Sequence, residues 1–139
     1  MNVFIDSDVI LDYLFEREPF FKNSREIIAL SETGIIKGHI SSLILWNIFY
    51  VLSKYLGEKE ARKKIKLFRS IVEIIAIDGK IIDEGLNSGI KDFEDSIQYF
   101  AARSSDIGFF ITRNKKDYPK TGISIIDPGE FLGMIRARG

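Results

Sequence analysis

The chain has 139 residues, 45% of them hydrophobic, and its lysines plus arginines balance its aspartates plus glutamates at 20 each, so the formal net charge is zero. That length suits a single domain with a substantial core, and attraction to any polyanion must come from a local patch rather than the global field. The absence of cysteine excludes disulfides, thiolate zinc sites and cysteine nucleophiles, and a lone His39 disfavours histidine-rich metal sites and histidine-based triads.

Hydrolytic chemistry is thereby left to carboxylates, hydroxyls, lysines or a metal held by oxygen. The first residues lack the basic segment and long apolar stretch of a signal peptide, and no run approaches membrane-spanning length. A cytoplasmic protein without membrane contact is the expectation.

The chain opens on "VFIDSDVILD", where a short β-forming run reads as a buried strand that stops at Asp6. A helix is expected from about Asp8 to Phe15. Pro19 suits the first position of a second helix, with Phe20, Ile27, Ile28 and Leu30 on its apolar side and Gly34 as its stop. "KGHIS" is a short strand. Ser41 or Ser42 then caps "LILWNIFYVLSKYLG", a helix closed by Gly57 and apolar nearly all round, which predicts that it lies between other elements with Trp46, Phe49 and Tyr50 in the core.

"EKEARKKIKLFRSI" spaces Ala61, Ile65 and Leu67 or Phe68 for one apolar face and is otherwise basic. Seven basic residues between Lys54 and Arg69 face two acids, which reads either as a solvated helix face or as a phosphate-binding one. "VEIIAID" is a third strand, Asp78 caps the helix "GKIIDEGLNSG", and a further helix begins near Asp92 in "DFEDSIQYFAARSSD". "GFFIT" and "ISII" give strands four and five, and a last helix begins near Pro128. No internal repeat, low-complexity segment or linker interrupts the pattern. Continuously apolar strands alternating with helices predict a small doubly wound α/β sandwich, its mainly parallel sheet of four or five strands flanked by helices on both faces.

In such a sheet, ligands bind outside the carboxyl ends of the strands, where the strand order reverses. Strand one ends at Asp6, strand four runs into Thr112, Arg113 and Asn114, and the helix before it opens with Asp92, Glu94 and Asp95. Asp6, Asp95 and Asn114 can thus meet at one edge. Oxygen ligands without histidine or cysteine select a hard cation such as Mg²⁺ or Mn²⁺. Asp92 and Asp95 also suit a first helical turn, where each favours the helix by ~0.3–1 kcal/mol. Asp8 reads as a cap or an outer helper of the metal, and Asp12 as structural. An acid closing so apolar a strand is harder to explain structurally, which makes Asp6 the functional choice.

Four blocks in this order and spacing, "FIDSDVILDYLFEREPFF", "SSLILWNIFYVLSKYLG", "GIKDFEDSIQYFAA" and "FFITRNKKDY", resemble the PIN domain, the nuclease fold typified by VapC-type toxins of toxin–antitoxin pairs. The resemblance spans Val3 to about Phe131. It implies an Mg²⁺- or Mn²⁺-dependent endoribonuclease with acids gathered in one cleft. By motif the metal ligands fall on Asp6, Asn47, Asp95 and Asn114, with Asp117 as an alternative or supporting acid. Asp6, Asp95 and Thr112 form the catalytic set, Thr112 orienting a water or a ligand carboxylate. Arg113, Lys115 and Lys116 are placed to meet substrate phosphates. The pattern has a glutamate where Asn47 stands, and Asn114 is also neutral, so weak metal affinity or recruitment of Asp92, Asp117 or Asp8 is implied.

The resemblance further implies an RNA substrate, an antitoxin protein as partner and a homodimer, with Phe20, Phe21 and Tyr55 available for contacts. Two other readings compete. A degenerate PIN domain would bind RNA or protein with little catalysis, a reading motivated by Asn47 and Asn114. "FIDSD" also resembles the start of haloacid-dehalogenase-type phosphatases, in which the first aspartate is a nucleophile.

Overall fold

The apolar opening forms β1 (Asn2–Ile5) in a computed structural model that describes residues 1–120 and 122–139. Val3, Phe4 and Ile5 point alternately to opposite faces, and all three are fully buried, so the sheet is covered on both sides. β2 (Lys37–Ser41), β3 (Val72–Ile75), β4 (Phe109–Ile111) and β5 (Ser124–Ile126) join it in the order β3-β2-β1-β4-β5, every pair parallel. The chain winds outward through β2 and β3, then returns to the other side of β1 with β4. The strand order therefore reverses between β1 and β4. Phe4 and Phe110, opposite one another there, stack with ring centroids 4.9 Å apart.

Seven α-helices flank the sheet among the described residues: α1 (Ser7–Leu14), α2 (Phe21–Glu32), α3 (Ser42–Leu56), α4 (Glu58–Arg69), α5 (Gly79–Leu86), α6 (Phe93–Arg103) and α7 (Pro128–Arg138). α1 packs on α2, α2 on α7, α3 on α4, and α5 on α6. Polar caps set most of their starts. Ser41, Asp78 and Asp92 each accept a backbone amide hydrogen of the first turn, and Asp127 and Glu130 form a reciprocal capping box on α7. Such caps stabilise a helix by about 1 kcal/mol each. Gly57 adopts φ 85° between α3 and α4, a left-handed conformation that a residue with a Cβ resists. No described helix is long and apolar enough to cross a membrane.

Three local expectations need correction. α1 starts at Ser7, and its cap is Asp6, whose Oδ1 accepts the Ser7 amide hydrogen at 2.8 Å. α2 starts at Phe21, so Pro19 lies in the preceding turn rather than at a first helical position. α3 is not enclosed. It buries a single stripe, Ile44, Ile48 and Leu52, at four-residue spacing, while Trp46 and Tyr50 remain 62% exposed. On α4 it is Phe68 that enters the core, and Leu67 stays outside.

Candidate functional site

Thr112, directly after β4, is fully buried and donates its hydroxyl hydrogen to Asp6 Oδ2 at 2.9 Å. Asp6, directly after β1, receives a second hydroxyl on the same oxygen from Tyr118, at 2.8 Å. The Tyr118 oxygen also lies 3.2 Å from Asp95 Oδ1, in the first turn of α6. Three distant stretches of sequence thus meet at the point where the strand order reverses, as expected for a parallel sheet. Tyr118 has one hydroxyl hydrogen for two carboxyl groups. Both contacts can be hydrogen bonds at once only when one of the two acids carries a proton.

The electrostatics favour that proton. Burial, followed by the charge of Asp8, pushes the Asp6 carboxyl up to about 7 against the opposing bonds from Tyr118, Ser7 and Thr112. Asp95 is pushed up to about 6, first by burial and then by the neighbouring charge of Asp92, with smaller contributions from Asp117 and Glu94. Tyr118 itself is held firmly protonated, by burial and by the two acids it faces. The pair is an acidic centre short of positive charge.

Asp8 braces the loop after β4. Its Oδ1 accepts the Val9 amide hydrogen at 2.7 Å, and its Oδ2 accepts hydrogens from the Arg113 amide at 3.0 Å and the Asn114 side chain at 3.2 Å. Asn114 also donates its backbone amide hydrogen to the Thr112 hydroxyl at 3.1 Å. Burial raises the Asp8 carboxyl above the usual range in spite of these bonds. Asp12 is buried and structural. Arg113 grips it with Nε at 2.6 Å and Nη2 at 3.2 Å, its guanidinium lying 3.8 Å from the centroid of the Phe20 ring. Arg113 is therefore committed to an internal ion pair, not free beside the acids as the sequence suggested.

Lys115 is committed as well, to Glu130 at 2.6 Å, a contact that raises the lysine and lowers Glu130 to about 2. Lys116 is different. With Asp92, Asp95, Asp117 and Tyr118 it lines a cleft of about 920 Å³ that also includes Lys91, Phe100 and Arg103. Asp92 caps α6 by accepting the Asp95 amide hydrogen at 2.9 Å, so its side chain is occupied structurally. Asp117 is exposed in a short 3₁₀ turn, Lys115–Asp117. Asn47, half-buried on α3, donates its amide hydrogen to Glu94 Oε1 at 2.8 Å.

Whether a hard cation suits these residues can be judged from the donors. The set is all oxygen, and its two innermost carboxyls share a hydroxyl without a cationic partner. That chemistry fits Mg²⁺ or Mn²⁺. As the side chains lie, no three acids or histidines among the described residues stand close enough to enclose one ion.

Two residues of the centre escaped the sequence reading. Tyr118 closes the block "FFITRNKKDY", where an aromatic after a charged run reads as loop packing, and its hydroxyl has no local signature. Glu94 is one of three acids opening α6, and nothing in the sequence distinguishes it from Asp92 and Asp95. Asn47 turns it into a relevant carboxylate.

A profile of the PIN domain family matches residues 2–116. Ribonuclease VapC1 of Aquifex aeolicus (strain VF5) is 28% identical over 135 residues, which cover 94% of this chain and 92% of that protein. Among solved structures, VapBC-1 from nontypeable Haemophilus influenzae superposes with a TM-score of 0.68 at 17% identity, covering 93% of this chain and 99% of the other. A toxin–antitoxin complex from Klebsiella pneumoniae gives 0.67 at 21% identity, covering 91% and 97%. The fold is shared with both. A family match of this length also displaces the haloacid-dehalogenase-type reading of "FIDSD".

Proposed function

The chain belongs to the PIN domain family, and on that premise we infer that it is a metal-dependent endoribonuclease, the toxin of a toxin–antitoxin pair acting in the cytoplasm. The observation that carries this reading is the Asp6–Tyr118–Asp95 link, two carboxyls of raised pKa joined at the carboxyl edge of a parallel sheet. The names of the relatives, a ribonuclease and toxin–antitoxin complexes, support the activity and an antitoxin partner.

Asp6 and Asp95 would hold Mg²⁺ or Mn²⁺, with Asn114, Asn47 and Asp117 as further oxygen donors. The bound ion would supply a water of lowered pKa and neutralise charge on the phosphate. The protein groups set the geometry for that chemistry. The Ser7 amide fixes Asp6 Oδ1, while Thr112 and Tyr118 fix Oδ2, so the carboxylate enters the reaction already oriented. In the metal-free chain the Asp6 carboxyl is pushed up to about 7, so it has to give up its proton before it takes a cation. Tyr118, held protonated, acts as a donor and not as a nucleophile. The exposed aromatics Trp46, Tyr50 and Tyr55 offer contact area for an antitoxin or for a second copy in a homodimer.

Purified protein incubated with labelled RNA and Mn²⁺, beside the Asp6→Asn variant, tests this. Cleavage by the natural chain and none by D6N is expected. A chain that cleaves no RNA at any metal concentration contradicts the nuclease reading. Equal cleavage by D6N contradicts the site.

One observation favours a second reading, a PIN domain that binds RNA or protein without cutting. Asn47 and Asn114 both direct amide hydrogens at acids, to Glu94 and Asp8, and so occupy acceptors that a metal would use. Calorimetric titration separates the two, since this reading expects no heat of Mn²⁺ binding that D6N removes.

A further inference from the structure

α6 forms one wall of the 920 Å³ cleft, and its lining residues Asp95, Tyr99 and Arg103 follow one another at four-residue spacing along a single helix face. Eight residues of helix separate the acid from the arginine by about 12 Å. The cleft carries both signs of charge. Lys91 and Lys116 adjoin Asp92 and Asp117 at the acidic end, and Arg103 stands apart at the far end of α6.

Those cations are uncommitted in a way that their neighbours are not. Arg113 and Lys115 are consumed by Asp12 and Glu130. Among the described residues, Arg103, Lys91 and Lys116 make no ion pair. The Arg103 guanidinium lies over the rings of Tyr99 and Phe100, 5.9 and 5.8 Å from their centroids, which orders a long side chain without neutralising it. Phe100 is half-buried, packs edge-on against Tyr99 at 5.2 Å and contributes to the cleft lining. A guanidinium beside an aromatic ring, leading to a cluster of acids, suits a chain of alternating phosphates and flat bases.

We propose that this cleft seats unpaired ribonucleotides, with one backbone phosphate on Arg103, a base against Phe100, and the strand running along α6 toward Asp95, where Lys91 and Lys116 meet further phosphates. The inference rests on the nuclease reading for the direction of the strand but not for its binding. The cleft volume lies near the top of the roughly 300–1,000 Å³ range of small-ligand sites, room for one or two splayed nucleotides. The basic face of α4 is a separate surface with no part in this binding.

The test is equilibrium binding of a fluorescent single-stranded RNA to D6N in chelator, across a range of salt concentrations. Adding Arg103→Ala should weaken binding about fivefold at 0.1 M salt and reduce the salt slope by about 0.7, the value for one lost phosphate contact on a single strand. Arg103→Lys should keep the slope, and the double change K91A/K116A should lower it further. The exposed double change K64A/K66A on α4 should alter neither.

An unchanged slope with R103A and K91A/K116A, equal binding of a duplex of the same sequence, or capture of an acidic peptide with no binding of the RNA each overturns the proposal. The nuclease reading fails separately: a natural chain that binds through Arg103 but never cleaves removes the activity and leaves the cleft assignment standing.

Discussion

The Tyr118 hydroxyl stands 2.8 Å from Asp6 Oδ2, a buried contact that ties the loop after β4 to the end of β1. Replacing Tyr118 by Phe removes one of the bonds that hold the Asp6 pKa down, so that pKa rises further. The ring still packs on Phe110 at 4.6 Å, so the fold is retained. The acidic limb of the pH–rate profile for RNA cleavage should move to higher pH in Y118F. An unmoved limb would separate Asp6 from the rate-determining ionisation.

The charge of Asp6 also sets how stability depends on pH. Its carboxyl is raised from 3.8 to about 7, so between those values the folded chain binds more protons than the unfolded one. Stability is therefore greatest at the acid end of this window and falls as pH rises through about 7. Asp95 acts in the same direction. Glu130, lowered from 4.5 to about 2, acts in the opposite sense but only as pH drops below its unfolded value. Thermal melts of metal-free protein should give a lower Tm at about pH 8 than at about pH 5.5, and D6N should flatten the difference. Mn²⁺ should raise the Tm most at the alkaline end.

Breaking the Arg113–Asp12 pair should destabilise the chain without touching phosphate contacts. Asp12 is almost wholly buried, so Arg113→Ala leaves a carboxylate whose one cationic partner among the described residues is Arg17, 3.8 Å away and exposed. Loss of one partner of a buried pair costs about 3–5 kcal/mol, and Arg17 should hold the loss near the lower end. Denaturant unfolding measures it. The salt slope for RNA binding should stay at its natural value in Arg113→Lys, which preserves the charge.

Asn47 and Glu94 give a fourth prediction. Asn47→Glu places a second carboxylate where an amide now donates at 2.8 Å, and like charges there repel. The metal-free N47E protein should melt below the natural chain, and Mn²⁺ should return more of its Tm than it adds to the natural chain. An identical Mn²⁺ increment in both proteins would remove Glu94 from the neighbourhood of the ion.

That Asp6, Asp95 and the segment holding Asn114 share one edge was legible in the sequence because it follows from two regular features, although the Asn114 side chain turns to Asp8. Apolar strands reveal where they end by their first polar residue, and parallel winding brings alternate ends to one edge. The partners of Arg113 were not legible. Asp12 lies 101 residues away, and only the rotation of α1 below its cap turns that side chain toward the loop after β4. The exposure of Trp46 and Tyr50 was hidden for another reason, since hydropathy records what a helix can bury, not how many neighbours it has. Lys115 looked identical to Lys116 until Glu130 distinguished them.

Asp6 serves at once as the residue that follows β1, the cap of α1 and the acceptor of two hydroxyls. Its backbone is fixed by β1 and α1 on either side, and the segment after β4 supplies only the two hydroxyls that orient its carboxylate. Insertions elsewhere on the surface can therefore remodel what reaches the cleft while leaving this carboxylate in register. A scaffold of that kind permits target preference to drift with little risk to the chemistry.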